Sequence, residues 1–314
     1  MRKQTSISGI FLIPIKAVLG VLGLGILLTM SGCAIQTHSF LQPAGIVAYA
    51  DRRLLIEVVL LMLIVVAPVL ILTPLLIWRY RRKNTHSNYS PEWEFSVPLE
   101  FLVWGIPILI VVAIGYLVWM KTIALDPYRP LASVEKPMEI QVIGLDWKWL
   151  FIYPEQNMAT VNALVFPADR PVHLTLTSDT VMLSLLIPRL VGQIYAMPGM
   201  KTQLNFEADQ PGRYLGENTQ YNGTGFSQQK FTVQALPAQA FSAWTDQVHK
   251  QDNPLTTAAY AKIAQQNLAS HPLYFSSVNG SLFASTLAKY HGRPETKTNM
   301  EKTRTMAAGM NHDL

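Results

Sequence analysis

GENTQYNGTGFSQQKF, residues Gly216 to Phe231, has the outline of a metal-binding loop from which the donors are missing. It follows Pro211-Gly212, a pair suited to the centre of a type II turn, and runs into the apolar, strand-like Phe231-Thr232-Val233. A loop so placed joins two late strands of a β-rich domain. A dinuclear copper centre there needs bridging thiolates, imidazoles and weaker axial donors, because soft sulfur and imidazole nitrogen suit copper. The stretch contains no Cys, His or Met, so the domain is expected to work without that metal.

Outward from the loop, residues 138–236 read as short strands. Met138 to Val142 and Val172 to Thr177 alternate apolar and polar residues. Further runs are Trp147 to Tyr153, Val161 to Phe166, Met182 to Ile187, Gln193 to Ala196, Thr202 to Phe206 and Lys230 to Gln234, separated by Pro, Gly, Asn and Asp. Strands at this spacing predict an antiparallel sandwich or barrel. His173 falls on a polar face and is read as solvent-facing, while Trp147 and Trp149 are read as core. From Pro237 the pattern turns helical: Phe241, Trp244 and Val248 share one face, and Asn253-Pro254 reads as a cap with proline at the first helical position before Leu255, Ala259 and Ile263. A short helical arm is expected over 237–292. Residues 293–314 are polar, lack aromatics and are expected to be a disordered tail.

Upstream the chain is a membrane protein. Of 314 residues, 50% are hydrophobic and only 14% charged, too apolar for an ordinary soluble protein. Leu54 to Trp78 and Val97 to Met120 are long enough to span a bilayer. Pro68 and Pro74 in the first are tolerable where neighbouring helices satisfy the freed carbonyls. Trp78-Arg79-Tyr80-Arg81-Arg82-Lys83 closes the first run with an interfacial aromatic and positive charge, which places residues 79–95 in the cytoplasm and both ends of the hairpin outside it. Residues 34–50 read as an exposed linker and 121–137 as a Pro-containing connection. The net charge of +5 is concentrated beside the first run and in the tail, so it is a topology signal and a solvated end rather than a nucleic-acid surface.

The start of the chain has Arg2 and Lys3, the apolar run Ala17 to Leu28, and then Met30-Ser31-Gly32-Cys33. That order fits a secretory signal over residues 1–32. A cysteine after two small residues resembles the bacterial lipobox, in which the thiol is acylated and becomes the first residue of the mature chain. The alternative is a plain membrane helix with an incidental cysteine, for which the run is short. Cys33 is the only cysteine, so no internal disulfide can form. Two carboxylates, Glu57 and Glu100, sit near helix ends, where a solvated residue and a functional one are equally compatible with position. No phosphate-binding glycine loop, Ser/His/Asp triad or zinc spacing stands out.

Four stretches together resemble subunit II of the haem–copper oxidases: Val97 to Pro107, with Glu100, Trp104 and Pro107 matching a family motif; Val142 to Trp149; Ser178 to Pro188; and the opening loop. With the hairpin they cover roughly residues 33–236. The resemblance implies a membrane-anchored α+β chain, with a two-helix hairpin, a cupredoxin-like β-sandwich outside the cytoplasm and the helical arm. It aligns Leu183, Asn218, Gln220, Asn222, Phe226 and Gln229 with the positions where cytochrome c oxidases hold a dinuclear copper centre. None of the six is a copper donor of the required kind, and Met197 and Met200 read as packing residues.

These departures resemble the quinol-oxidising branch, of cytochrome bo type. The implied protein is a bacterial inner-membrane lipoprotein acylated on Cys33, binding no metal itself. Haems and copper are implied on subunit I, with subunits I, III and IV and membrane lipid as partners and ubiquinol reached through subunit I; neither cytochrome c nor nucleic acid is expected. Glu100 is implied at the cytoplasmic mouth of a proton path. Two other readings stay open: a menaquinol-oxidising relative, and a lipid-anchored degenerate cupredoxin acting as a binding or assembly module.

Overall fold

The strand β2 (Lys148–Tyr153) is buried at every position, on both faces, and this explains the architecture. A strand covered on one side alternates; one covered on both reads as a continuous apolar run. In this computed structural model, which describes residues 39–291 apart from 82–91, 93, 132, 134 and 270, two layers cover it. One is a second β-sheet and the other is the C-terminal arm.

β1 (Met138–Leu145), β2, β3 (Met158–Val161), β5 (Val172–Ser178), β8 (Thr202–Phe206) and β12 (Leu273–Phe275) form the first sheet, in the order β12-β3-β2-β1-β5-β8. The second has the order β4-β10-β9-β6-β7 and contains β4 (Ala163–Pro167), β6 (Leu183–Ile187), β7 (Val191–Ala196), β9 (Gly212–Asn218) and β10 (Lys230–Leu236). Most neighbours are antiparallel, as the sequence pattern predicts, but β1 pairs with β5 and β4 with β10 in parallel. The sequence reading misses β9, whose Gly-Arg-Tyr-Leu-Gly-Glu-Asn lacks a clean alternation. It also misses β3 apart from its last residue, Val161, which it joins to β4.

Trp149, Phe151 and Tyr153 point from β2 into the sandwich core, with Phe231 of β10 tilted against both Trp149 and Phe151. Leu150 and Ile152 point the other way and pack with Ile143, Leu145 and Val161 under the arm residues Leu255, Ile263, Phe275 and Phe283. The arm comprises α3 (Ala238–His249), the bridge pair β11 (Pro254–Leu255) and β13 (Ser277–Val278), α4 (Thr257–Ile263), β12 and α5 (Leu282–His291). Phe241 and Val248 of α3 are buried in the sandwich core, as their spacing predicts. The expected cap at Asn253-Pro254 is displaced: Pro254 sits in β11, and Thr256 caps α4 by accepting from the Ala259 amide. Residues 293–314 lie outside the described residues.

Two long helices complete the chain, α1 (Ile46–Arg79) and α2 (Val97–Ala124), with mean hydropathies of 3.1 and 2.6 over their most apolar windows. Their bounds extend the expected spans 54–78 and 97–120. The largest extension is at the start of α1, where residues 46–50 are helical rather than linker. The reason is tertiary. The Ala44 amide donates to Arg189 O, Ala44 O accepts from the Asp209 amide, and Arg189 Nε donates to Gln42 O, strapping residues 42–44 to the sandwich. Gly45 lies so close to Glu207 O that no side chain fits, and Ala48 is buried. The helix therefore starts on the domain, not at the membrane surface.

Candidate functional site

The loop after β9 closes on itself through side-chain amides. Gln229 is buried at the start of β10, and its Oε1 accepts from Asn218 Nδ2 at 2.9 Å and from Asn222 Nδ2 at 2.7 Å. Its Nε2 donates to Leu145 O and Lys148 O, at 3.3 and 3.4 Å, on either side of the β1–β2 turn. Asn218 Oδ1 accepts from the amides of Ser184 and Gln220, both at 3.0 Å, and Asn218 Nδ2 also donates to Gln220 O. Three carboxamides thus tie together β6, β9, β10 and the β1–β2 turn. The amides pair with one another without a net charge, and of the three side chains only Asn222 Oδ1 is left without a partner among the described residues.

Trp147 closes this region. It occupies the β1–β2 turn with φ of +62°, a rare conformation for a bulky residue. Its indole N–H donates to Asn222 O at 3.2 Å, and its ring lies on Gly223 and against Gly225, where a side chain could not fit. It is half-buried over the loop, so the expectation that it lies in the core is corrected; Trp149 is the core residue.

The six positions aligned with copper ligands are only partly assembled into this network. Asn218, Asn222 and Gln229 meet through side chains, and Gln220 contributes its backbone. Leu183 is fully buried at the start of β6, against Gly144, and the neighbouring Ser184 amide joins the network. Phe226 stacks at a tilt on Tyr221, with ring centroids 5.7 Å apart. Two apolar side chains and four neutral amides offer no thiolate or imidazole, and three of the amides are committed to one another. They do not fit a dinuclear copper centre. No cluster of His, Cys, Asp or Glu able to hold a metal occurs among the described residues.

In the membrane hairpin, Glu100 lies in the first turn of α2, and Trp104, one turn on, donates its indole N–H to Glu100 Oε2 at 3.0 Å. Glu57 of α1 is paired with Arg53 Nε at 2.8 Å. His173 is not simply solvent-facing: its Nδ1 lies 2.7 Å from Asn205 Oδ1 and its Nε2 3.9 Å from Glu139. Cys33 lies outside the described residues.

Sequence reasoning overlooks Lys148. It is 1% exposed on the arm side of β2, and its ammonium donates to Gln265 O, Asn267 O and Asn267 Oδ1 at 2.8, 2.5 and 2.6 Å. Burial pushes its pKa down, opposed by the nearby Asp146 carboxylate. A lone charge inside Trp-Lys-Trp-Leu-Phe-Ile-Tyr was the available signal. A second tie is Asp179, nearly buried, whose Oδ1 lies 2.9 Å from Lys289 Nζ of α5.

Comparison with known proteins places this geometry. Residues 155–236 match the family model "Cytochrome C oxidase subunit II, periplasmic domain", and residues 249–293 match "COX Aromatic Rich Motif". The chain is 42% identical over 281 residues to the cytochrome bo(3) ubiquinol oxidase subunit 2 of Pseudomonas aeruginosa, covering 90% of this chain and 84% of that one. It is 41% identical over 272 residues to the ubiquinol oxidase subunit 2 of Acetobacter aceti, covering 86% and 87%. Among solved structures, the periplasmic domain of cytochrome oxidase subunit II (CoxB) of Bradyrhizobium japonicum aligns over 38% of this chain and 99% of its own, with 19% identity and a TM-score of 0.36.

Proposed function

The chain belongs to the subunit II family of haem–copper oxidases, on the bo-type ubiquinol oxidase branch, and from that premise we propose that it serves its complex without a metal relay. The complex is an oxidoreductase, and this subunit is held in the inner membrane by α1 and α2 with its β-domain in the periplasm.

The observation that carries the proposal is the closed amide network of Asn218, Asn222 and Gln229. A chain that received electrons from a soluble cytochrome would need a redox centre at this loop. Here the same space is filled by groups that neither bind copper tightly nor change oxidation state. Electrons therefore reach the haem and copper of subunit I from ubiquinol within the membrane. The subunit contributes helix packing, a periplasmic cap and one titratable group, Glu100. A carboxylate one turn into α2, at the cytoplasmic end, is within reach of bulk water and adjacent to any subunit packed on that helix. That position, with the Trp104 hydrogen bond orienting it, supports a role at the mouth of a proton path. Cys33 is proposed as the acylated residue, supported by the order of charge, apolar run and small residues before it.

The test is oxygen uptake by the complex purified through a tag on this subunit. Uptake with ubiquinol and none with reduced cytochrome c is expected. Uptake with cytochrome c would overturn the reading of the loop. Glu100→Ala is expected to slow uptake while the haem content of the complex stays constant; unchanged turnover would remove Glu100 from the proton path. The mass of the N-terminal peptide reports on acylation of Cys33.

A further inference from the structure

A cavity of about 430 Å³ opens where the membrane hairpin meets the β-domain. Its walls are the first turns of α1, residues 124–131 after α2, and the facing parts of β7 and β8. The volume is within the ~300–1,000 Å³ usual for small-molecule pockets. Asp51 precedes the apolar run from Leu54 by about one helical turn, and Leu125 follows the run that ends at Met120, so the cavity lies just outside the apolar spans, at the level of the lipid headgroups.

Its lining is apolar apart from a few groups. Ile46, Val47, Leu125 and Leu131 form greasy walls continuous with the lipid-facing sides of the two helices. Asp51 and Arg129 also line it. Neither side chain has an ion-pair or hydrogen-bond partner among the described residues, and they do not pair with each other. The absence of a side chain at Gly192 keeps the wall open over Asp51 Oδ2. A half-buried carboxylate and an exposed guanidinium thus line one cavity, neither paired among the described residues.

We infer that this cavity binds a bilayer phospholipid with a primary-amine headgroup, its ammonium on Asp51 and its phosphate on Arg129. Guanidinium recognises phosphate through paired N–H donors, and a compact ammonium suits a single carboxylate. The acyl chains leave past Leu125 and along the apolar runs of α1 and α2, from Leu54 and Met120, into the bilayer. A free phosphate would satisfy Arg129 but bring no cation to Asp51, leaving that carboxylate facing a second anion. A glycerol headgroup would offer Asp51 only neutral hydroxyls, with no charge to balance the carboxylate. A quinol headgroup, neutral and without phosphate, would leave Arg129 unpaired. The bound lipid would wedge the domain against the helix ends and fix its angle to the membrane.

The experiment uses the whole oxidase complex, stripped with detergent and analysed by native mass spectrometry during titration with phosphatidylethanolamine, phosphatidylglycerol or inorganic phosphate. The expected result is one tight phosphatidylethanolamine site in the wild type, weakened about tenfold or more in Asp51→Asn and in Arg129→Gln, a loss of roughly 1.4 kcal/mol or more. Arg52→Gln, outside the cavity, should leave the affinity unchanged. Equal binding of phosphatidylglycerol, displacement by phosphate, displacement by ubiquinol, or identical affinities in wild type and both variants would each overturn the proposal. Should a variant fail to assemble, a photoreactive phosphatidylethanolamine on the wild-type complex decides: labelling within 124–131 supports the site, and labelling elsewhere only overturns it.

Discussion

Lys148 Nζ lies 2.6 Å from Asn267 Oδ1, and that contact joins the β-domain to the arm. The ammonium is buried with no carboxylate in contact; three carbonyl oxygens of residues 265–267 replace its water. Removing it takes a charged donor from three carbonyl oxygens; Gln265 and Asn267 are themselves exposed and can rehydrate in part, so the cost is that of the lost charge-assisted bonds, up to ~1.5–3 kcal/mol for each. Lys148→Met is therefore expected to loosen the arm by at least ~2 kcal/mol, with the sandwich core intact. Hydrogen exchange over residues 257–275 checks this, and should rise while exchange in β5 and β10 does not.

The amide network carries a similar prediction with a functional control. Gln229→Leu roughly keeps the volume but strands Asn222 Nδ2 and leaves Asn218 Nδ2 with Gln220 O alone, for a loss of ~1–3 kcal/mol in the stability of the periplasmic domain. Thermal unfolding of the complex reads that loss. Turnover with ubiquinol should not change, because the proposed electron route bypasses the loop. A collapse of turnover in a folded Gln229→Leu complex would contradict the proposed electron route.

Much of this was legible before the structure. The two membrane spans announced themselves by length and flanking charge, β1 and β5 by alternation, and β8 and β10 as short runs between turn residues. Phe241 and Val248 were readable as one buried helix face. What the sequence concealed depends on contacts distant along the chain. The start of α1 is set by the strap from Ala44 to Arg189 and Asp209, to which local propensity is blind. Lys148 looks like a misplaced charge until residues 265–267 are seen to enclose it. Thr256 takes the cap because Pro254 is claimed by pairing with Ser277. At the loop, sequence could say that copper donors were missing, but not that Asn218, Asn222 and Gln229 replace them with one another, or that Trp147 leaves the core to cover them.

Burial also sets an alkaline limit on stability. Tyr153 is fully buried, and its hydroxyl oxygen accepts from the Val165 amide at 2.9 Å. Desolvation pushes its pKa well above the ordinary phenol range, and burial under the arm does the same to Tyr260. A group whose folded pKa is raised adds stability that is fully present below its unfolded pKa, here ~10, and is lost as pH rises from there toward the folded value. The domain is thus expected to lose stability above pH ~10. Absorbance at 295 nm should show two tyrosines ionising only with unfolding. Tyr153→Phe should reduce the alkaline loss while costing ~1 kcal/mol at neutral pH through the lost hydrogen bond.

The last prediction concerns Trp104, whose indole N–H holds Glu100 Oε2 at 3.0 Å along one turn of α2. If Glu100 exchanges protons at the helix end, that hydrogen bond fixes where its carboxylate points. Trp104→Phe keeps an aromatic ring but removes the N–H donor together with part of the indole. It should lower kcat for ubiquinol with KM unchanged, since electron delivery occurs elsewhere. The decisive measurement is the double-mutant cycle. Two residues acting through one hydrogen bond give non-additive effects, whereas independent sites add within ~0.3–0.5 kcal/mol. In a Glu100→Ala background, Trp104→Phe should therefore have no further effect on kcat. An equal loss in both backgrounds would mean that Trp104 acts only by packing at the membrane surface and that Glu100 is oriented by something else.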